Sequence, residues 1–423
     1  MTIDLRASSA ARMPSRRRFL QGLGATAIAG AAAWALAKPV LVNPCRAALP
    51  PALADSPWLR QVWQGIDPAK LWDCHVHIAG IGDSDSGIRI GPQLSSMFYP
   101  LQYAQRLFYM NAGCVNTAPG QVDISYVARL KNLMDGLPPG CKLMLYAFDQ
   151  FHDEAGQPRP ERSAFYVPDA YARRLAHDNP AIFEWVASIH PYRADAVDAL
   201  QAAVAGGACA VKWLPAAMGM DPASKRCDAF FRVLAERRLP LIVHCGEEKA
   251  VKGSDSKHLG NPLGLRRALD AGVRVVVAHS ATLGEDIDRD RGTNGPLAHS
   301  FDLFARLLAE PRSRDLLYAD ISAIALRNRP VPAIRTLLER EDWHPRLLYG
   351  SDYPLPGIIP FTSVATLARE GLLPKEAVAD LDLLQAHNPL YFDLALKRLL
   401  SWNGRRFPAS VFATRDFFAR RTA

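Results

Sequence analysis

The chain has 423 residues, 49% hydrophobic and 22% charged, a composition that can bury a large core and excludes a low-complexity or disordered polypeptide. Its formal net charge of +8 is concentrated at one end: residues 1–54 carry seven basic side chains against Asp4 alone, while the other 43 basic and 41 acidic side chains nearly cancel. With no basic stripe and no aromatic-basic interleaving in the body, the pattern excludes nucleic acid as a partner.

The first element in chain order is an address. Ser15-Arg16-Arg17-Arg18-Phe19-Leu20-Gln21 leads into an uncharged, Ala/Gly-rich run from Phe19 to Ala37. A basic stretch, a mildly apolar stretch and then small residues resemble a twin-arginine export signal, which implies the twin-arginine translocase as a partner and the periplasm or cell envelope as destination. Nineteen uncharged residues also reach the length of a membrane anchor, but Ala and Gly give weak insertion energy. Cleavage fits after Ala-Leu-Ala at 35–37 or at 52–54. We therefore divide the chain into a signal and linker over 1–54, a body over 55–403 and a tail over 404–423, expected to be a peripheral helix. Seven cysteines, none in a C-x-x-C pair, do not suggest a disulfide framework; Cys74, Cys209 and Cys245 sit in apolar strand-like runs and read as small buried hydrophobes.

From Leu71 onward, short apolar runs alternate with amphipathic stretches. Strands are predicted at 71–78, 142–148, 185–189, 209–214, 240–245, 273–279, 316–322 and 346–352. Helices are predicted at 122–135, 168–177, 193–205, 226–238, 262–271, 297–310, 331–340 and 375–386. Continuous apolar runs of this length suit strands covered on both faces, and eightfold alternation predicts an α/β fold, a (β/α)8 TIM barrel, with a doubly wound open sheet as the alternative. One stretch breaks the rhythm: about forty residues, 79–121, separate strand 1 from helix 1. They include Phe-Tyr-Pro-Leu-Gln-Tyr-Ala-Gln-Arg-Leu-Phe-Tyr-Met (98–110), which reads equally as an aromatic lid or a packing insertion.

Chemistry-bearing residues fall at the strand ends. His75 and His77, two apart, share one strand face; His244 ends strand 5, His279 ends strand 6, Asp352 ends strand 8, and Lys212 lies within strand 4. Taken singly, a strand-end histidine is usually structural, a strand-end aspartate a cap and a strand lysine a solvent-facing residue. Together they form the imidazole-carboxylate set that Zn²⁺, Mn²⁺ or Fe²⁺ binds, at the end of a barrel where catalysis occurs. His190, Arg193 and Arg327 follow strands 3 and 7 and are candidate substrate contacts, with Asp149, His152 and Arg329 as weaker neighbours. His177, His258, His299 and His344 read as structural or surface residues.

The segments Asp73-Cys74-His75-Val76-His77, Val211-Lys212-Trp213-Leu214-Pro215, Val243-His244-Cys245-Gly246-Glu247, Ala278-His279-Ser280, Tyr349-Gly350-Ser351-Asp352-Tyr353-Pro354 and His387-Asn388-Pro389 resemble the amidohydrolase superfamily, in its amidohydrolase-2 branch, over roughly residues 70–395. The resemblance implies His75, His77, His244 and Asp352 as metal ligands, with Asp352, His279 and Lys212 catalytic. It also implies a divalent metal, zinc before manganese or iron, with one ion preferred to two because a strand-4 lysine in this branch need not be carbamylated. Asp73 and Glu247 are candidates to orient ligands. The expected activity is a metal-dependent hydrolase that activates water against an amide, ester or lactone bond of a small molecule. The alternative is a metal-dependent non-oxidative decarboxylase of an aromatic or unsaturated acid. A non-catalytic metal-dependent binding protein is a third possibility. The oligomeric state is left open by the resemblance.

Overall fold

A computed structural model describes residues 41–249, 251 and 257–419; the arginine motif and the apolar run behind it lie outside them. The body from Asn43 onward is one compact unit. All eight predicted strand positions are strands: β1 (Trp72–His77), β2 (Lys142–Tyr146), β3 (Phe183–Val186), β4 (Val211–Trp213), β5 (Leu241–His244), β6 (Val275–Ala278), β7 (Leu317–Asp320) and β8 (Leu347–Leu348). They form two parallel sheets, β1-β2-β3 and β4-β5-β6-β7-β8. Backbone hydrogen bonds join the sheets on both sides. Lys212 N–H donates to Ala187 O (2.7 Å) beyond β3, and Cys74 and His77 N–H donate to Tyr349 and Tyr353 O beyond β8 (3.2 and 2.9 Å).

Ten helices matter to the site and its cover. α1 (Pro100–Ala112) lies in the insertion. α2 (Val122–Met134), α3 (Asp169–Asp178), α4 (Ala196–Ala205), α5 (Asp228–Glu236), α6 (Arg266–Asp270), α7 (Ser300–Ala309), α8 (Val331–Glu339) and α9 (Val378–His387) alternate with or follow the strands. α10 (Pro389–Leu399), capped by the Asn388 side chain, has no predicted counterpart. It is nearly all buried, so it lacks the polar face that makes a helix visible as a period. Among the described residues, no helix is long and apolar enough to cross a membrane.

The alternation of side chains along each strand sorts the core into two populations. Leu143, Leu241, Val243, Val275, Val277, Leu317 and Ala319 face the helices in one large cluster. Trp72, Met144, Ala210, Ile242, Val276 and Leu348, at or near the strand beginnings, form a second, separate cluster. Phe418 from the tail completes that second cluster, and Phe417 packs on Tyr318 with ring centroids 4.4 Å apart. The tail is thus a packed element rather than a peripheral helix: Phe407, Val411 and Phe412 are also buried, and Thr414 Oγ1 accepts the Trp72 N–H at 2.9 Å. Cys74, Cys141, Cys209, Cys227 and Cys245 are free and buried. Cys45 and Cys114 form a disulfide across 69 residues, a pairing that sequence spacing does not signal.

Candidate metal centre

The donors converge because of where the alternation turns polar. Ala210, Ile242 and Tyr318 belong to or pack on the strand-beginning cluster; two residues later on the same faces come Lys212, His244 and Asp320. On β1 the pairing register shifts between Asp73 and Val76. Such irregularities re-aim side chains beside active sites. His75 Nε2 and His77 Nε2 both face Asp352 Oδ1, at 3.5 and 3.1 Å, and His279 Nε2 faces Asp352 Oδ2 at 3.8 Å.

The turns that deliver the last two groups are strained. His279, Ser280 and Ala281 have φ of 56°, 50° and 50°, and Asp352 has φ 64°. A non-glycine residue in this left-handed region costs on the order of 1–3 kcal/mol and persists where the surroundings dictate it. Asp320 Oδ1 accepts the His279 N–H (2.8 Å), Ser280 Oγ donates to Asp320 O (2.9 Å), and Asp352 N–H donates to His75 O (2.8 Å).

Asp320 also fixes the tautomer of His75. Its Oδ2 lies 2.9 Å from His75 Nδ1, with Ser322 Oγ 3.0 Å from the same nitrogen. The Nδ1–H donates to the carboxylate, which leaves Nε2 bare toward Asp352. Ser322 Oγ is 2.7 Å from His279 Nδ1, and Glu248 Oε2 is 3.3 Å from His244 Nδ1. His244 Nε2 is buried without a hydrogen-bond partner. Burial, reinforced by the Lys212 charge, holds the His75 imidazole well below its ordinary pKa. Burial and then Arg329 do the same to His279, and burial lowers His244. All three are therefore neutral imidazoles, the form a metal ion needs. Lys212 Nζ is buried 3.4 Å from His75 Nε2, its pKa lowered by burial against the opposing pull of Asp320 and Asp352.

The donor set fits a divalent ion. One donor atom each from His75, His279 and Asp352 lie within 4.8 Å of one another, His77 Nε2 faces the same carboxylate, and the orphaned His244 Nε2 is the kind of buried atom that an ion satisfies. These groups open into a cavity of about 290 Å³. Its other walls are largely apolar, with Phe148, Phe165, Leu326 and Phe361, and α1 contributes Gln105, Arg106, Tyr109 and Met110. Arg329 also lines it: Nη1 donates to Thr282 Oγ1 (2.9 Å), Nε is buried without a partner, and burial lowers the guanidinium pKa to about 10.

His75, His77, Lys212, His244, His279 and Asp352 thus share one cavity. His190, Arg193 and Arg327 do not line it. His190 is fully buried, its Nε2 3.1 Å from Met218 O and its Nδ1 accepting the Tyr192 N–H, and burial pushes its pKa down to about 3. Arg193 is held by Asp149 and Asp195, and Arg327 is exposed. Asp73 acts on backbone, accepting the N–H of His75 and of Ser351 and so tying β1 to the strand-8 end. Glu247 lines the cavity beside Lys249. Sequence reasoning missed Asp320, Ser322 and Glu248; the alternation Tyr318–Asp320 in a strand end was the available signal for Asp320.

The profile of a family described as Amidohydrolase matches residues 72–381. No curated protein matches the sequence. Solved structures that resemble the chain include an uncharacterised TIM-barrel protein from Bordetella bronchiseptica (17% identity, 75% of this chain and 99% of that one, TM-score 0.45). A candidate 2-pyrone-4,6-dicarboxylic acid hydrolase from Pseudomonas putida is similar at 16% identity (77% and 98%, TM-score 0.39). So is a 5-carboxyvanillate decarboxylase from Sphingomonas paucimobilis, at 12% identity (76% and 97%, TM-score 0.39).

Proposed function

The chain belongs to the amidohydrolase family, and from that premise we propose that it is a metal-dependent hydrolase acting on an amide, ester or lactone bond of a small molecule. The observation that carries the reading is the convergence of four histidines and Asp352 on one apolar cavity, with His244 Nε2 orphaned. We read the two sheets as arcs of one (β/α)8 barrel, supported by the parallel hydrogen bonds on both sides between them. His75, His77, His244 and Asp352 would hold the ion, with His279 in reach. One ion is preferred to two, because His279 belongs to the same tight donor group as His75 and Asp352. Zinc suits the donors best, with manganese or iron as alternatives.

A divalent ion held there supplies Lewis acidity and makes hydroxide available near neutral pH. Asp352 Oδ takes the proton from the attacking water and returns it to the leaving group. His279, oriented by Ser322, stabilises charge that develops on the substrate oxygen. Lys212 contributes positive charge at the base of the cavity, and Arg329 grips an anionic group of the substrate. The apolar walls exclude bulk water.

The second reading is a decarboxylase of an aromatic or unsaturated acid, favoured by one observation: Phe148, Phe165 and Phe361 surround a cavity that also holds the half-buried Arg329 guanidinium. Purified protein screened against ester, lactone, amide and carboxylic-acid libraries in ¹⁸O-labelled water separates the two. Label in the organic product supports hydrolysis, and CO₂ release with an unlabelled organic product supports decarboxylation. Full turnover by protein proved metal-free by elemental analysis rejects both. Arg329→Met should raise KM for anionic substrates at least tenfold and leave neutral ones unaffected.

We further propose export to the periplasm or envelope by the twin-arginine translocase. The Cys45–Cys114 disulfide supports this, since such bonds persist in oxidising compartments. Replacing Arg16, Arg17 and Arg18 together with Lys should retain the protein in the cytoplasm; unchanged delivery overturns export.

A further inference from the structure

The chain between the export signal and the first helix of the body is built into the molecule. Asn43 is 2% exposed; its N–H donates to Asn111 Oδ1 (2.8 Å), and Asn111 Nδ2 donates back to Asn43 O (3.3 Å). Asn43 Nδ2 donates to Gly357 O (3.0 Å), and Asn43 Oδ1 accepts the Cys45 N–H (2.8 Å). Arg129 and Asn132 of α2 donate to Arg46 O and Ala47 O (3.0 and 3.2 Å), His387 Nδ1 meets Ala48 O, and Leu53 is 1% exposed. Cys45 is bonded to Cys114, two residues past the end of α1.

The segment therefore grips both pieces that form one side of the cavity. α1 supplies Arg106 and Tyr109 to it, and the turn leading to Gly357 supplies Pro354 and Leu355 next to Asp352. Ala112 and Gly357 are in close approach, such that a side chain at Gly357 would meet Ala112 backbone and Cβ at about 3.0 Å. Tyr353 OH donates to Ala112 O (3.2 Å). Loosening the strap removes the Asn43 and Cys45 holds on the C-terminal end of α1 and on Gly357, and leaves α1 with the Ala112 contacts to Tyr353 and Gly357 alone on this side.

We propose that residues 43–54 are a working strap of the mature enzyme, cross-linked to the lid helix through Cys45–Cys114, and that closure of this bond sets the rigidity of the lid. Two thiols in the freshly made chain lose two protons and two electrons to a disulfide oxidant, which becomes a dithiol. The reverse reaction consumes two thiols and yields their disulfide. Cys45 and Cys114 are half-buried while the other five cysteines are buried, so reagents select this bond. A processing cut after Ala54 would discard Cys45 and the whole strap; the cut therefore lies before Asn43.

The test needs no substrate, so it stands apart from the functional reading, on which the proposal rests only in treating the cavity as the substrate site. Exported protein is purified without reductant and examined by intact mass and non-reducing peptide mapping. The chain should begin upstream of Asn43 and contain the Cys45–Cys114 cross-link. A start at Asp55, or a free thiol at Cys114, overturns the proposal. Amide hydrogen exchange is then compared before and after reduction of the native protein by a trialkylphosphine, and in the C45S/C114S variant. Exchange over residues 100–114 should rise at least tenfold while strands β4–β7 and metal content are unchanged. Unchanged exchange over 100–114 in the reduced protein overturns the lid role, whether or not the variant folds.

Discussion

Two groups of buried histidines lie at strand ends of this protein, and they are put to different uses. Beyond the ends of β2 and β3, the rings of His152 and His190 lie tilted against each other with centroids 4.6 Å apart. His190 spends Nε2 on Met218 O and Nδ1 on the Tyr192 N–H, and Asp149 beside it is occupied by the His190 N–H and Arg193. Around Asp352, in contrast, only one side of each ring is anchored: His75 by Asp320, His244 by Glu248 and His279 by Ser322. The Nε2 atoms point inward: that of His75 at Asp352 and Lys212 Nζ, that of His279 at Asp352, and that of His244 at no hydrogen-bond partner. Residue type and burial are the same in both groups. What separates His190, a piece of core, from the rings around Asp352 is that backbone satisfies both of its ring nitrogens.

The comparison is broken most severely by removing an inward-facing ring. His75→Ala should drop bound metal below one tenth of the wild-type content and cost turnover at least a thousandfold, whereas His152→Ala should keep its metal; elemental analysis of the two purified variants decides. Equal metal in both would erase the distinction. A smaller effect is expected from the anchor rather than the ring. Asp320→Asn should leave a folded chain whose affinity for a divalent ion is weaker by about 10–100-fold, measured by competition with a chelator. Undiminished affinity would mean that His75 needs no orientation.

The smallest effect belongs to the satisfied group, and it is one of pH. Burial holds His190 near 3 instead of its ordinary 6.5. Below pH 6.5 the unfolded chain takes up a proton that the folded one refuses, so His190 subtracts stability as pH falls from about 6.5 toward 3. The stability advantage of wild type over His190→Gln in urea unfolding should therefore shrink by roughly 2–3 kcal/mol between pH 7.5 and pH 4.5. A constant gap would show that His190 is not held neutral.

This contrast also explains what the sequence made legible. Strands and helices from 71 to 387 were readable because a chain covered on both faces writes apolar runs, and the helices between them write one apolar stripe. His75, His77, His244, His279, Lys212 and Asp352 were readable as a set by their placement at strand ends. His190 and Arg193 do not line the cavity, because Met218 O and the Tyr192 N–H take the ring of His190 while Asp149 and Asp195 hold Arg193, contacts that periodicity does not record. Arg329 lines the cavity while its neighbour Arg327 is exposed, a difference of two residues in an irregular loop. The same holds for Cys45 with Cys114, which tertiary structure alone brings together.

Phe418, 66 residues beyond Asp352, closes the apolar well at the strand beginnings. Trp72, on the first strand, and Phe418 are members of one cluster, so the earliest and latest parts of the body must meet to seal it. In the order of synthesis the floor beneath the donor residues is still open when Asp352, the last of them, has been made. A chain without the segment that carries Phe418 would keep every donor residue and lack that floor, and its fate would be decided by the cell's surveillance of exposed hydrophobic surface rather than by its chemistry.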